Sequence, residues 1–468
     1  MAEHGDEPAR APVRSRWPLT PRDRSLVAAL ALAGALRLLW AVVITRTPAD
    51  AFSDPAQYLR MADGFSRGEL PTWVSGAPTA WLAPGYPALL APVALVARTT
   101  GIASFAFLAS LVNVAVGVLT VAAAAFLAGR WIGPGARNPA AWIMAIAPAQ
   151  IYFVSTAHSE VVFGALFLAA LCLVTVLVQR ADGVDRARPW LLLGVFVGFV
   201  MLTRTQGAVA LVLPALAIRA WRGSWQGALR ASALLIAGSF VVLVPWTVRN
   251  GLQVGVWTYA STGNAVTLCL GNHDDAVAEY EDDLLSDDLR ADCYRYSVWD
   301  DPELGAAPPW WHYAHPDEGR WYTTTIRRGV GWALTHPVDE VGLTARKQVE
   351  LWRDDSDAVA GARNYSSRSW AGRATRPLEW LANAWLWGVE VLALVALIRI
   401  RRCRQALPIW GGVALLNATV VIAITFPHYR FAAVPLVVVL ASAEIAVLLG
   451  RPVEPLSRAS RPVEPARR

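Results

Sequence analysis

The chain has 468 residues, 55% of them hydrophobic and only 17% charged, with a mean hydropathy of +0.37. A soluble protein of this size carries about a quarter charged residues, and here the apolar residues bunch into runs of roughly 20, the length that crosses a bilayer, so an ordinary soluble enzyme is excluded. The formal charge of +6 does not point to nucleic acid, because the basic residues gather in short segments beside apolar runs, where they set membrane orientation.

Arg10, Arg14, Arg16, Arg22 and Arg24 precede the first run, 25–45. That run is too long for the core of a signal peptide and predicts a retained first helix. Further runs follow at 103–129, 139–154, 160–179, 190–205, 207–221, 229–247, 378–398, 407–425 and 431–449. The stretch 84–98 is short and opens with two prolines. As a span it would turn the basic loops "QRADGVDRARP" and "RAWRGSWQGALR" outward, so it is read as a helix lying on the outer surface. The result is an all-α polytopic protein with ten spans and both termini cytoplasmic.

Three segments then face outward: 46–102, the short turn 155–160, and 248–377. The third is long enough for a small extracytoplasmic domain. It contains Cys269 and Cys293, whose separation suits a disulfide in an oxidising compartment. Cys172 falls in a span, and Cys403 among the cytoplasmic Arg399, Arg401, Arg402 and Arg404. The run 274–303 has twelve acidic residues against two arginines, without the spacing of a calcium loop, and reads as solvated. "PPWWHYAHPDEGRWY" suits an aromatic belt on lipid headgroups or, alternatively, a surface that stacks on sugars. The tail 450–468 repeats RPVEP and reads as disordered.

Candidate chemistry begins just after the first run. Asp54 and Tyr58 are spaced i, i+4, so a helix starting near Ser53 sets both on one face. Ser53 or Asp54 suits the cap and Pro55 the first helical position. Asp54 is therefore either a helix cap or a general base at the membrane boundary, taking a proton from a hydroxyl if its pKa is tuned.

Context favours the base. "SDPAQYLRMADGFSRGE" followed by "PTAWLAPGYPALLAP" resembles the first outer loop of the GT-C superfamily, the polyprenyl-phosphate-sugar-dependent membrane glycosyltransferases that include protein O-mannosyltransferases and aminoarabinose transferases. The match runs through Asp54, Tyr58, Ala62, Gly68, Pro78, Thr79, Pro84, Gly85, Tyr86 and Pro87. "APAQIYFVSTAHSE" looks like that family's third span with its outward Ser/Thr-x-x-x-Glu turn, and "GFVMLTRTQG" like its Gly-x-x-x-Leu-x-Arg-Pro segment, with Thr205 at the proline. "PWTVRNGLQVGVWTYASTGNAVTLCLGNH" resembles the entry to the large loop, with His273 in place of a second Asn. "FPHYRFAAVP" resembles the signature before the last span, with His428 in place of an Arg.

The resemblance implies a GT-C fold: a transmembrane module over 25–247, a loop domain over 248–377 and C-terminal helices over 378–449, flanked by segments 1–24 and 450–468. It implies that Asp54 is the catalytic base. The donor would be a polyprenyl-phosphate sugar and the acceptor a cell-envelope glycan, lipid or protein. An inverting displacement at the sugar also needs positive charge for the departing phosphate. Arg204, Arg249 and Arg430 all fall at outer span ends, where arginine is expensive to place and grips phosphate well. Tyr58, Tyr86, His428 and Tyr429 join that donor site. Glu160, His158, Asn250 and Asn272 are candidates for positioning acceptor or sugar. Lys347, in "ARKQVELWRDD", lies on an amphipathic stretch and reads as a lipid-headgroup or solvated face, with reach to the phosphate as the alternative. No organic cofactor is implied, and a divalent metal such as Mg or Mn stays open. Two alternatives also stay open: a lipid-linked sugar flippase, which would place charges at mid-membrane, and a polymerase or ligase using diphosphate-linked glycan.

Overall fold

The computed structural model describes residues 24–48, 53–73, 76–180, 182–278, 293, 318–365, 369–400, 406–451 and 453. The basic N-terminal segment before 24, most of the acidic run, the Trp-rich residues 308–317, Cys403 with its neighbouring arginines and nearly all of the tail lie outside them. Among the described residues the chain is helical, with one isolated bridge between Thr72 and Pro78.

Five helices are long and apolar enough to cross a membrane. They are α1 (Arg24–Ile44), α4 (Phe105–Leu127, continued by a π turn to Ile132), α7 (Ser159–Gln179), α10 (Trp225–Gln253) and the 375–400 part of α15 (Ser369–Ile400). Three further apolar helices are shorter: α8 (Ala187–Thr203), α16 (Leu407–Val421) and α17 (Val434–Leu448). The other two expected spans are broken. In the first, α5 (Arg137–Ala145) stops before Pro148, and α6 (Pro148–Tyr152) restarts and passes into a 3-10 turn at Phe153–Ser155. Proline lacks the amide hydrogen that would continue the helix, and it forces Ala147 into an extended conformation. In the second, the chain leaves α8 at Arg204, runs as a 3-10 turn over Thr205–Leu211 and restarts as α9 (Leu213–Arg222).

The break before Pro148 leaves carbonyls that a bilayer interior cannot satisfy. Arg37, fully buried in the middle of α1, supplies the donors: Nη1 to Ala145 O at 3.1 Å and Nη2 to Met144 O at 3.2 Å. Glu390, within α15, is a second charged residue inside an apolar helix, whereas Glu444 stands near the end of α17 and pairs with Arg399. For Arg37 the reason for such a place is that a broken helix needs a long donor from its neighbour.

The main core joins α1, α4, α5, α7, α8, α9, α10, α15, α16 and α17. Within it α8 and α10 pack closest. A Cβ on Gly194 would lie 2.2 Å from Leu235 O, and one on Gly238 2.1 Å from Leu191 O. Small residues let membrane helices approach until backbone meets backbone. Gly194→Val is expected to force the pair apart and cost at least about 2 kcal/mol, read as a lower midpoint of thermal unfolding in detergent.

The remaining helices cluster at one end. α2 (Asp54–Ser66) packs on α3 (Gly85–Thr100), and α3, which is not among the helices long and apolar enough to cross a membrane, rests on α4 and α8. α11 (Asn264–Leu270) packs on α12 (Glu318–Thr335), and Cys269 of α11 is disulfide-bonded to Cys293, with Cα atoms 5.5 Å apart. α13 (Pro337–Arg353) and α14 (Ser356–Tyr365) lie against the turn that precedes α17.

Candidate active site

Asp54 is the first residue of α2, preceded by the N-cap Ser53 and followed by Pro55. One turn on, Tyr58 is buried, its ring edge-on to Tyr86 at 5.4 Å and its hydroxyl 3.4 Å from Ser159 Oγ. Tyr86 in turn donates to Asn113 Oδ1 at 3.3 Å. The amide nitrogen of Asn113 donates to Thr156 O at 2.9 Å, pinning the turn that carries His158, Ser159 and Glu160. Gly85 lets this arrangement close: a Cβ there would meet Thr203 N at 2.6 Å, so α3 sits directly on the end of α8, beside Arg204.

Arg204 is ion-paired with Glu160, donates to Ser159 Oγ at 3.1 Å and covers the Tyr429 ring at 5.2 Å. His428 lies on the other side of Glu160, its Nε2 3.6 Å from Oε1. Its Nδ1 and backbone amide both meet the carboxylate of Asp357 on α14. The His158 and His428 rings are 6.3 Å apart, and Phe153 packs edge-on against the first. Asp54, His158, Glu160, Arg204 and His428 are close enough to act on one another's charge, from four separate stretches of chain.

The electrostatics divide the two histidines. Asp54 is exposed at its own surface but crowded by protein, and loss of water is the main force on it. With Glu160 adding, this outweighs His158, His428 and Arg204 and raises the carboxyl pKa, while the open surface moderates the shift. Burial pushes the His158 imidazole down, so it is neutral at neutral pH. Burial also opposes the charged form of His428, but the charge and hydrogen bond of Asp357 outweigh it and the pKa rises. Asp357 is lowered for the reciprocal reason: burial opposes its charge, and His428 overcomes that.

The other expected arginines have different partners. Arg249 donates to Thr79 O at 2.6 Å and Pro71 O at 2.8 Å, holding the chain that leads into "APGYP". Asn250 accepts from it at 3.1 Å and donates to Thr258 O. Arg430 binds Leu351 O, Asp354 O and the Asp355 carboxylate, so it fixes the bend between α13 and α14. Asn272 ties the end of α11 to Ile422 O at 2.8 Å. Lys347, read as a lipid-headgroup or solvated face, is instead fully buried; its Nζ donates to Val421 O at 3.2 Å and lies 3.8 Å from Glu340. Burial pushes this amine down to about 8. Sequence reasoning missed Asn113, Asp357 and Asp355. A lone Asn in the apolar run of α4 was a usable signal; nothing local marked the two aspartates. No three His, Cys, Asp or Glu side chains among the described residues are grouped to hold a metal ion.

No protein-family model matches the sequence, and a comparison with curated proteins finds no match. Solved structures do. The oligosaccharyltransferase AglB from Archaeoglobus fulgidus, in complex with an inhibitory peptide and a dolichol-phosphate, aligns over 96% of this chain and 53% of its own, with 13% identity and a TM-score of 0.53. Its apo form aligns over 91% and 50%, with 14% identity and a TM-score of 0.52. The fold is GT-C. ArnT from Cupriavidus metallidurans bound to undecaprenyl phosphate also aligns, over 90% and 76% at 15% identity, but its TM-score of 0.37 adds nothing to the GT-C assignment. The chain spans about half the length of the AglB chains it matches. The Asp54 cluster lies where α2, α7, α8, α14 and the turn before α17 meet, at one end of the bundle.

Proposed function

We propose that the chain is a membrane glycosyltransferase. It moves a sugar from a polyprenyl-phosphate donor to a cell-envelope acceptor at the extracytoplasmic face, by inverting displacement. The observation that carries this reading is the cluster at the end of an apolar helix bundle: Asp54 lies within charge reach of Arg204, which is ion-paired with Glu160, and of His428, which is paired with Asp357. Asp54 takes the acceptor hydroxyl proton, that oxygen bonds to the sugar C1, and the bond from C1 to the phosphate oxygen breaks with its electron pair. Arg204 and His428 face the charge that develops on the leaving lipid phosphate. The GT-C fold supports the same kind of donor, since AglB with this fold is seen with a dolichol-phosphate. The disulfide between Cys269 and Cys293 supports an oxidising compartment for this end of the bundle.

The test is mass spectrometry of envelope glycans and lipid-linked sugars with and without the gene. Loss of one sugar from an envelope glycan, with its polyprenyl-phosphate form accumulating, is the expected result; an unchanged profile overturns the reading. A lipid-linked sugar flippase is the second reading, favoured by the broken helices and by Arg37 and Glu390 inside apolar helices. Purified protein in liposomes separates the two. A transferase releases polyprenyl phosphate, whereas a flippase moves the intact donor across.

A further inference from the structure

The Asp357–His428 pair joins parts of the chain with no sequence relation, and nothing in the sequence singled out Asp357. Asp357 sits in the first turn of α14, at the end of the long loop segment, while His428 belongs to the 3-10 turn before the last helix. The carboxylate takes both the Nδ1 and the backbone amide of His428, so it fixes the ring's orientation as well as its charge. The opposite ring nitrogen is left 3.6 Å from Glu160 Oε1, the same oxygen that Arg204 binds. The ring is packed between Phe153, at 5.8 Å, and Phe426 and Tyr429, at 5.1 and 5.0 Å. It has little freedom to turn away. A crevice behind the pair is lined by Gln150, Phe153, Asp355, Asp357, His428 and Arg430.

We propose that Asp357 is a positioning residue of this site: it holds His428 as an oriented imidazolium, a second cation beside Arg204 for the leaving lipid phosphate. The inference rests on the transferase reading for the identity of the anion, though not for the Asp357–His428 coupling itself. His428 gives up no proton in the transfer. Its charge offsets the negative charge that collects on the phosphate as the bond to C1 breaks, and the acceptor proton still goes to Asp54. The charge balance around the ring explains why a carboxylate is needed. Asp357, Glu160 and Asp54 favour the imidazolium, whereas burial and Arg204 oppose it; neighbouring His158, neutral at neutral pH, adds no charge there. Asp355 on the far side of the crevice is occupied by Arg430. Removing the Asp357 charge therefore leaves burial and Arg204 acting on the ring with less to oppose them. Because the cationic form is present below the raised pKa and lost as pH rises through it, the site keeps its second cation further into the alkaline range than a free histidine allows.

The experiment uses the full chain in nanodiscs with isotope-labelled histidine, His428 being assigned by its missing signal in His428→Gln. In the parent protein His428 is expected to titrate above about 6.5, the ordinary histidine value. In Asp357→Asn its midpoint is expected to fall, with partial return in Asp357→Glu. Binding of undecaprenyl phosphate is then followed against pH. Its alkaline loss is expected to move down with the His428 midpoint in Asp357→Asn and to vanish in His428→Gln. An unchanged His428 titration in Asp357→Asn overturns the proposal, as does lipid-phosphate binding that ignores the His428 midpoint. If undecaprenyl phosphate fails to bind the parent protein at any pH, the donor assignment falls, while the shift of His428 in Asp357→Asn still decides the coupling.

Discussion

Asp54→Asn is expected to lower sugar transfer by about 100- to 10,000-fold, the range a positioned general base contributes, with membrane insertion and thermal stability unchanged. The substitution keeps the size of the side chain and removes its basicity. Asp54 is exposed and Ser53, not Asp54, is the N-cap, so little stability depends on the carboxylate. The pH profile gives a second readout. The base form is present above the Asp54 pKa and lost as pH falls through it. That pKa is raised by loss of water and by Glu160, so activity is expected to decline on the acid side at a higher pH than an ordinary aspartate would give. Transfer by purified Asp54→Asn at the parental rate, or an acid limb at the usual aspartate position, would retire the assignment of Asp54 as base.

Arg430→Met is expected to fail differently, by unfolding the site rather than by slowing chemistry at it. Arg430 and Asp355 are both buried, and the guanidinium also satisfies the carbonyls of Leu351 and Asp354. Removing one partner of a buried pair leaves an uncompensated charge and costs about 3–5 kcal/mol. The bend between α13 and α14 depends on it, and Asp357 follows directly after that bend. The expected outcome is a marked drop in the thermal unfolding midpoint together with loss of transfer. Adding Asp355→Asn should recover part of the stability, because the orphaned charge is then gone. A parental unfolding midpoint for Arg430→Met would show that the pair contributes nothing to the fold.

The two cases show why the three span-end arginines looked alike in sequence and differ in the structure. Each stands at the end of an apolar run, where arginine is expensive, and each therefore has a reason to be there. Arg204 meets a side-chain carboxylate and stays beside Asp54. Arg249 spends its donors on the carbonyls of Pro71 and Thr79, and Arg430 spends its own on a bend. Which of these holds depends on the backbone that comes to lie opposite, which no local pattern encodes.

The sequence by itself determined the helices and the local pairings on them. Apolar length gave the membrane runs, Pro148 was present to break one of them, and i, i+4 spacing put Asp54 and Tyr58 on one face. These properties follow from hydrophobic burial and backbone geometry within a few turns of chain. Only the tertiary structure decided that α14 brings Asp357 to His428, that Asn113 pins the 156–160 turn, and that Arg37 satisfies carbonyls 107 and 108 residues away. Such contacts join residues far apart in the chain. They exist because a membrane-embedded polar group must find a partner wherever packing delivers one.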